Sequence, residues 1–120
     1  MNKPTIALTL GDPAGIGPEL IAKLLNIPNL IDHANIVVIG DSWLWQQGQQ
    51  IAGVQINTRL IDCLADARQY ENEQQFLLVA VDTIMPEEVT LGAATSGGGS
   101  SVLQVLDLCL KAVSMHDIDA

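Results

Sequence analysis

The segment GDPAGIGPE, residues Gly11–Glu19, is the part of the sequence best suited to chemistry. Its glycines at positions 11, 15 and 17 allow the backbone to approach a ligand closely and to adopt positive φ angles. A segment that opens a helix also presents free backbone N–H groups and a partial positive charge. We therefore predict that Gly11, Gly15 and Gly17, together with Asp12, bind a cofactor. The alternative is a tight strand-to-helix turn that needs glycine only for its geometry.

The glycine spacing does not match the common nucleotide-binding motifs. Gly15-x-Gly17 begins like the dinucleotide fingerprint GxGxxG, but Leu20 stands where a small residue is required. No Gly-Lys-Ser or Gly-Lys-Thr follows, so the segment is not a Walker loop. Asp12 is the best polar candidate in the loop, either as an acceptor for nearby backbone N–H groups or as a contact to a cofactor. Glu19 is better explained as an acid that complements the dipole of a helix N-terminus.

Other polar residues are weaker candidates for a site. Asp41 follows an apolar run, and we interpret it as a helix cap, with a ribose-binding acid as the alternative. His33 and His116 have no histidine or cysteine at ligand spacing, which favours surface or capping roles. The sequence thus predicts neither a catalytic residue nor a metal ligand in this chain.

Strand and helix patterns alternate along the chain. Apolar runs predict strands at Thr5–Leu10, Asn35–Gly40, Val54–Leu60 and Phe76–Val81. Helical periodicity predicts helices after Pro18, from Asp41 or Ser42 to about Gln50, and over Val102–Val113 with Ser100 or Ser101 as its N-cap. Residues 61–74 form either a long loop or a short surface helix. This alternation is typical of a parallel α/β architecture.

Composition limits the possible classes of partner. The chain has 120 residues and a net charge of −9, which argues against nucleic acid or an anionic membrane as a partner. The sequence shows neither a secretory signal nor an apolar run long enough to span a membrane, so we expect a cytoplasmic protein. Cys63 and Cys109 are interpreted as buried free thiols. Trp43 and Trp45, two residues apart on a helix, should face different ways, one buried and one partly exposed.

Two parts of the sequence resemble a known enzyme family. IALTLGDPAGIGPELIAKLL closely resembles the amino terminus of the 4-hydroxythreonine-4-phosphate dehydrogenases. The isocitrate and isopropylmalate dehydrogenases carry a similar but shorter GDGIGPE-like form. A second likeness covers Gly92, Gly99 and the apolar helix Val102–Val113, whereas residues 43–89 match only in strand order. The resemblance implies a three-layer, isocitrate/isopropylmalate dehydrogenase-like α/β fold that is truncated at residue 120, with no internal domain boundary.

The resemblance also implies a reaction. The family uses NAD, or NADP, to oxidise 4-phosphooxy-L-threonine to a 3-keto acid, which decarboxylates to 3-amino-2-oxopropyl phosphate in pyridoxal phosphate synthesis. A divalent metal such as zinc, magnesium or cobalt polarises the hydroxyl group. The resemblance further implies a homodimer. The family's metal ligands and phosphate-binding residues match nothing in this chain, so we expect them beyond residue 120 and expect the isolated chain to be inactive.

Two alternatives remain open from the sequence. A related dehydrogenase could act on another phosphorylated four-carbon hydroxy acid, such as threonate or erythronate phosphate. The chain could instead be a small non-catalytic α/β protein that binds a ligand or a partner subunit. The segment HDIDA, residues 116–120, suggests a turn into a further strand, and a sheet that stopped there would leave an unpaired edge.

Overall fold

The fold is an alternating arrangement of strands and helices, seen in a computed structural model that describes residues 3–89 and 95–120. The strands are β1 (Thr5–Thr9), β2 (Asn35–Asp41), β3 (Thr58–Ile61) and β4 (Phe76–Val81). The α-helices are α1 (Gly17–Leu25), α2 (Ser42–Ala52) and α3 (Ser96–Ser114). Short 3-10 helices occupy Leu30–Asp32, Leu64–Tyr70 and Pro86–Glu88.

The four strands form one parallel sheet in the order β1-β2-β4-β3. β2 lies inside the sheet, and all its residues after Asn35 are buried. Parallel strands are buried on both faces, which explains why β2 is a continuous apolar run and not an alternating one. The carboxyl ends of β1, β2 and β4 lie side by side at one edge, so the segments that follow these strands are neighbours in space.

Helices cover both faces of the sheet and give three layers. Alternate residues of β2 point to opposite faces, so Ile36 and Val38 pack with α1 and α2 in one cluster. Val37 and Ile39 pack in the other cluster with α3 and the 3-10 helix Leu64–Tyr70. The α/β class, the parallel sheet and the layered arrangement predicted from the sequence are confirmed.

Several element boundaries differ from the sequence predictions. The third strand begins at Thr58, not at Val54. The ambiguous stretch 61–74 contains the 3-10 helix Leu64–Tyr70, and it is not purely a surface element because Leu64 and Ala67 are buried. Pro18 does occupy the first turn of α1, as predicted.

The start of α3 differs most from the prediction. The helix begins at Ser96, so the Gly/Ser run forms its first turns, and neither Ser100 nor Ser101 is its N-cap. Thr95 is the cap, because its hydroxyl oxygen accepts a hydrogen bond from Gly98 N at 3.0 Å. A threonine hydroxyl that satisfies an otherwise free N–H stabilises a helix start even where the next residues are weak helix formers.

Residues 119 and 120 lie along the outer edge of β1. Asp119 N donates to Thr5 O and Ala7 N donates to Ala120 O, both at 2.8 Å. The Arg68 guanidinium reinforces this contact through hydrogen bonds to Asp119 and to the Thr5 hydroxyl. The unpaired edge expected from the sequence is therefore wrong for the first half of β1, because residues 119–120 follow β1 as the beginning of another strand would.

The tryptophans and cysteines test the expected burial pattern. Trp45 is buried and Trp43 is half-buried, which confirms that the two face different ways. Both cysteines are free, but only Cys109 is buried, and burial raises the pKa of its thiol. The prediction was wrong for Cys63, which is exposed because it precedes the 3-10 helix at the protein surface.

Candidate functional site

The candidate site is the loop between β1 and α1, which contains the predicted residues Gly11, Asp12, Gly15 and Gly17. Asp12 organises the loop: its Oδ1 accepts from Ala14 N at 2.9 Å, and its carbonyl oxygen accepts from Gly15 N, also at 2.9 Å. A side chain that accepts from the N–H two residues later stabilises a turn locally. Of the two interpretations of Asp12, the structure therefore shows the structural one directly.

The glycines of the loop have different reasons to be glycine. A Cβ atom on Gly17 would collide with the carbonyl oxygen of Leu10, so α1 can start this close to β1 only without a side chain. A Cβ on Gly15 would lie 3.3 Å from the carbonyl oxygen of Asp12, a tight contact. Both positions support the turn interpretation. Gly11 has φ +78°, and no atom of residues 3–89 and 95–120 lies within 4 Å of the position its Cβ would take, so none of them covers its backbone on that side.

The loop also lies against the N-terminus of α3. A Cβ on Gly98 would be 3.1 Å from Asp12 Oδ1 and 3.3 Å from Thr95 Oγ1. The Asp12 carboxylate thus occupies the positive end of this helix dipole, where a negative charge is stabilised. The N-termini of α1 and α3 consequently meet at one loop, and an acidic side chain lies between them.

Asp41 neither caps α2 with its side chain nor presents a free carboxylate for a ribose. It is the residue before α2, but its side chain makes no capping hydrogen bond. Its Oδ2 accepts from Thr83 N and Ile84 N at 3.0 Å each, and its Oδ1 accepts from Thr83 Oγ1 at 2.6 Å. Only 2% of Asp41 is exposed. The carboxylate is fully engaged by the segment that follows β4.

Thr83 and Ser101 join this arrangement and were missed from the sequence. The two hydroxyl oxygens are 2.6 Å apart, so Thr83 links Asp41 to the second turn of α3. Trp43 adds a further contact by donating its indole N–H to Ile84 O at 2.9 Å. One available signal was the position of Thr83 just after β4, at the same edge of the sheet as the glycine loop. The pairing itself depends on strand order and could not be read from spacing.

A small cavity of about 20 Å³ lies behind the loop. Its polar lining comes from Thr9, Asp41 and Ser101, and its lining also includes Gly11. A space of this volume holds about one water molecule. The cavity lies between α3 and the ends of β1 and β2. The distance from these strand ends to α3 therefore determines the volume of the cavity.

No cationic side chain of Lys3, Arg59, Arg68 or Lys111 lies at the loop. Arg68 pairs with Glu71 and Asp119, Arg59 with Glu73, and Lys111 with Asp107. Lys3 donates to the carbonyl of Ile31, at the other end of the molecule's strands. These four cationic side chains form no cluster at the loop.

The histidines and acids do not form a metal site in the part of the chain that the structure describes. No group of three His, Cys, Asp or Glu side chains there could hold a metal ion. His33 ends the 3-10 helix Leu30–Asp32, and His116 follows α3 with φ +61° and accepts from Arg68 through its carbonyl. The residues present therefore do not fit a divalent metal. Nor does any helix of the described ranges have the length and apolarity needed to cross a membrane.

The polar groups of the loop favour contact with a neutral ligand group over contact with a phosphate. The open backbone at Gly11 fits close approach by a ligand, whereas the nearest charged side chain, Asp12, is negative. A carboxylate accepts hydrogen bonds from hydroxyl groups and repels phosphates. The loop therefore suits a neutral, hydroxyl-bearing part of a cofactor, such as a ribose, better than a pyrophosphate.

Known proteins with similar sequences match this chain along its whole length. No protein-family model matches. A Pasteurella multocida protein, provisionally named a 4-hydroxythreonine-4-phosphate dehydrogenase, is 36% identical over 100% of this chain and 36% of its own length. A Rhizobium meliloti protein with the same provisional name is 37% identical over 99% of this chain and 34% of its own length.

Solved structures agree with these relatives. The crystal structure of a 4-hydroxythreonine-4-phosphate dehydrogenase from Burkholderia phymatum superposes with a TM-score of 0.83 at 25% identity, over 98% of this chain and 35% of that one. The chain is thus related to the 4-hydroxythreonine-4-phosphate dehydrogenases. A structure from Salmonella typhimurium with the same provisional name gives a TM-score of 0.76 at 26% identity.

The relationship to these dehydrogenases covers only part of their length. The chain spans about a third of the relatives it matches. The likeness predicted from GDPAGIGPE is confirmed, and it extends through residues 43–89, where the sequence showed only strand order. Gly92, which belonged to the second likeness, lies outside the described residues.

Proposed function

We propose that this chain contributes to an NAD-dependent, divalent-metal-dependent dehydrogenase that oxidises 4-phosphooxy-L-threonine. One observation carries the proposal: two proteins named for this reaction are 36% and 37% identical to the chain over essentially its whole length. The match in fold supports it. A non-catalytic binding protein is the less favoured alternative, because the relatives are named as dehydrogenases.

The loop residues would take one side of the cofactor. Gly11 would admit the cofactor to the backbone, and Asp12 would accept a hydrogen bond from a hydroxyl of NAD or NADP. Gly15 and Gly17 would act by shaping the turn. When bound, NAD supplies the hydride acceptor for the carbon that bears the hydroxyl group. The loop itself would position the cofactor, with Asp12 acting there as a hydrogen-bond acceptor.

The remaining groups required by the reaction come from outside this chain. The described residues hold no metal cluster and no cation at the loop. We propose that the metal ligands and the phosphate-binding residues belong to the portion of the relatives that this chain does not match. A homodimer, on the strength of the family resemblance, and the cytoplasmic location expected from the sequence complete the proposal.

The test is complementation between two polypeptides. The chain is assayed with NAD, Mg²⁺ or Zn²⁺ and 4-phosphooxy-L-threonine, first alone and then with the unmatched two thirds of the Pasteurella multocida relative as a separate polypeptide. We expect no NADH formation from either polypeptide alone and measurable NADH formation from the mixture. Turnover by the chain alone would contradict the assignment of essential groups to other residues. A mixture that binds together but stays inactive on every substrate offered would contradict the dehydrogenase proposal.

A second substrate is supported by a specific comparison. A protein from Oceanobacillus iheyensis, provisionally named a D-threonate 4-phosphate dehydrogenase, is 27% identical over 99% of this chain. The lower identity makes this the second candidate. Offering D-threonate 4-phosphate to the same mixture separates the two, because the preferred substrate shows the higher kcat/KM.

A further inference from the structure

Asp41 is an unusual residue because it is a buried acid without a cationic partner among residues 3–89 and 95–120. Only 2% of it is exposed, and every hydrogen bond that its carboxylate accepts comes from Thr83 or Ile84. Burying a carboxylate is costly unless its oxygens are satisfied. The Asp41 carboxylate therefore holds in place the residues that donate hydrogen bonds to it, which here are the first residues after β4.

The direction of the hydrogen bonds extends this effect to α3. A carboxylate only accepts, so the Thr83 hydroxyl must donate to Asp41 Oδ1. The Thr83 oxygen is then left as an acceptor, and the Ser101 hydroxyl donates to it across 2.6 Å. Ser101 is itself 4% exposed. A continuous chain of bonds thus runs from the end of β2, through the segment after β4, into α3.

The bonded chain ends one helical turn from the candidate site. Ser101 lies three residues after Gly98, so the two are on the same side of α3. Gly98 in turn lies against Asp12, with its Cβ position 3.1 Å from Asp12 Oδ1. Ser101 and the contact between α3 and the glycine loop therefore lie on the same first turns of one helix.

We infer that Asp41, Thr83 and Ser101 are positioning residues that hold the N-terminus of α3 against the Gly11–Gly17 loop. None of their side chains hydrogen-bonds to a residue of that loop, and they act through the backbone of α3. Only the purpose of this role, which is to keep the loop in the shape that a cofactor needs, rests on the proposed function. The positioning itself is a property of the fold and can be measured without a cofactor.

The experiment measures amide hydrogen exchange in the full chain with the variants Thr83→Val, Thr83→Ser and Ser101→Ala. Valine keeps the shape of threonine but removes the hydroxyl that joins Asp41 to Ser101. We expect Thr83→Val to speed exchange in residues 97–101 and 11–17 about tenfold, the equivalent of one lost buried hydrogen bond. Thr83→Ser, which keeps the hydroxyl, should restore slow exchange. Ser101→Ala should give a smaller increase at the same residues.

Thr58→Val is the matched control because it makes the same change in β3, away from the bonded chain. We expect it to leave exchange in both segments unchanged. The inference is overturned if Thr83→Val leaves residues 97–101 and 11–17 unchanged, or if exchange rises uniformly across the sheet. A uniform rise would indicate a general loss of stability and no positioning role.

A parallel titration with NADH separates this inference from the proposed function. If exchange responds locally but the wild-type chain does not bind NADH, the positioning role stands and the cofactor role of the loop fails. If the wild-type chain binds NADH while Thr83→Val exchanges like wild type, the cofactor role stands and the positioning role fails.

Discussion

The two helical layers of this molecule are packed in different ways. In the layer of α1 and α2, the helices pack against each other as well as against the sheet, and Gly48 of α2 lies directly against Pro18 of α1. In the opposite layer, α3 buries one side, including Val105 and Cys109, against the sheet. Its other side exposes a row of apolar residues: Leu103 is 66% exposed, Leu106 45% and Leu110 60%.

The difference shows how burial on a helix depends on its neighbours. A helix with one apolar stripe is satisfied by contact on one side, whereas α3 has two stripes and packs only one of them, against the sheet and the 3-10 helix Leu64–Tyr70. In the first layer, the two helices contact each other as well as the sheet. In the second layer, the contact to the sheet comes from one side of a single long helix and from that 3-10 helix. Three predictions test this contrast, from the largest expected effect to the smallest, and a fourth tests the edge of the sheet.

Truncating Trp45 should damage the α1–α2 layer most. Its side chain is 2% exposed and belongs to the cluster that joins α2 to the sheet. We expect Trp45→Ala to lower the free energy of unfolding by about 3–5 kcal/mol. Urea denaturation followed by circular dichroism measures this change. Trp43→Ala is the control: because Trp43 is half-buried, it should cost clearly less, and an equal cost would contradict the assigned burial.

Adding one methyl group at Gly48 should separate α1 from α2. A Cβ there would lie 2.6 Å from both the carbonyl carbon and the Cβ of Pro18. We expect Gly48→Ala to destabilise the protein by about 1–3 kcal/mol, even though alanine is the better helix former. The midpoint of thermal unfolding gives the direction of the effect.

The control for this change lies in the other layer. Among the residues that the structure describes, none has an atom within 4 Å of a Cβ on Gly99 in α3. Gly99→Ala should therefore stabilise the protein by about 0.5–1 kcal/mol through helix propensity alone. If both alanine variants shifted the midpoint in the same direction, close packing of α1 on α2 would not be the cause.

The two sides of α3 should respond differently to the same truncation. Val105 is 6% exposed, so Val105→Ala should cost about 1–2 kcal/mol from lost burial and an unfilled space. Leu106→Ala, one residue further, removes a larger but exposed side chain and should change stability by no more than about 0.5 kcal/mol. Chemical denaturation of the two variants gives the comparison. A large cost for Leu106→Ala would show that the exposed side is covered in solution.

The smallest effect concerns the edge of the sheet, where Arg68 holds Asp119 on β1. The Arg68 guanidinium, with a hydrogen bond from Thr5 N, lowers the pKa of the Asp119 carboxyl below its ordinary range. A depressed pKa stabilises the fold at pH values above the unfolded pKa of about 4, and this contribution is lost as the pH falls through the folded value. We expect the midpoint temperature of thermal unfolding to fall when the pH is lowered from 6 to 2.5.

Asp119→Asn should remove part of this acid sensitivity. The matched control is Asp107→Asn, which breaks the exposed i,i+4 pair with Lys111 and should alter the midpoint little at any pH. The comparison of the two variants across pH 2.5–6 isolates the contact at β1. If the unfolding midpoints of Asp119→Asn and wild type changed in parallel with pH, the contact between Arg68 and Asp119 would not be the cause of the acid sensitivity.

Much of the fold could be predicted because local patterns agreed with the global arrangement. Short apolar, β-branched runs such as Asn35–Gly40 and Phe76–Val81 are typical of interior strands, and both were located within one residue. The glycines at 11, 15 and 17 offered two interpretations, of which the structure shows the strand-to-helix turn, while their contact with a cofactor stays a prediction. Weakly patterned segments were less predictable: Val54–Leu60 alternates like a strand, yet pairing with β4 begins only at Thr58.

The candidate site was predicted only in part, for a related reason. The sequence identified the loop and Asp12, because glycine, proline and acid types reveal local backbone geometry. It did not predict that Gly98 would approach Asp12 or that Thr83 would join Asp41 to Ser101. Those contacts connect residues far apart in sequence, and no local pattern specifies them.

The sequence by itself determined the α/β class, the parallel sheet, the glycine turn and the likeness to the dehydrogenases. These follow from periodicity, residue type and motif, which act over a few neighbouring residues. Only the tertiary structure decided the function of Asp41, the start of α3 and the exposed side of that helix. Each depends on which elements the strand order β1-β2-β4-β3 brings together. The carboxyl ends of three strands and the start of α3 meet at one edge, and this meeting gives Asp41 its partners.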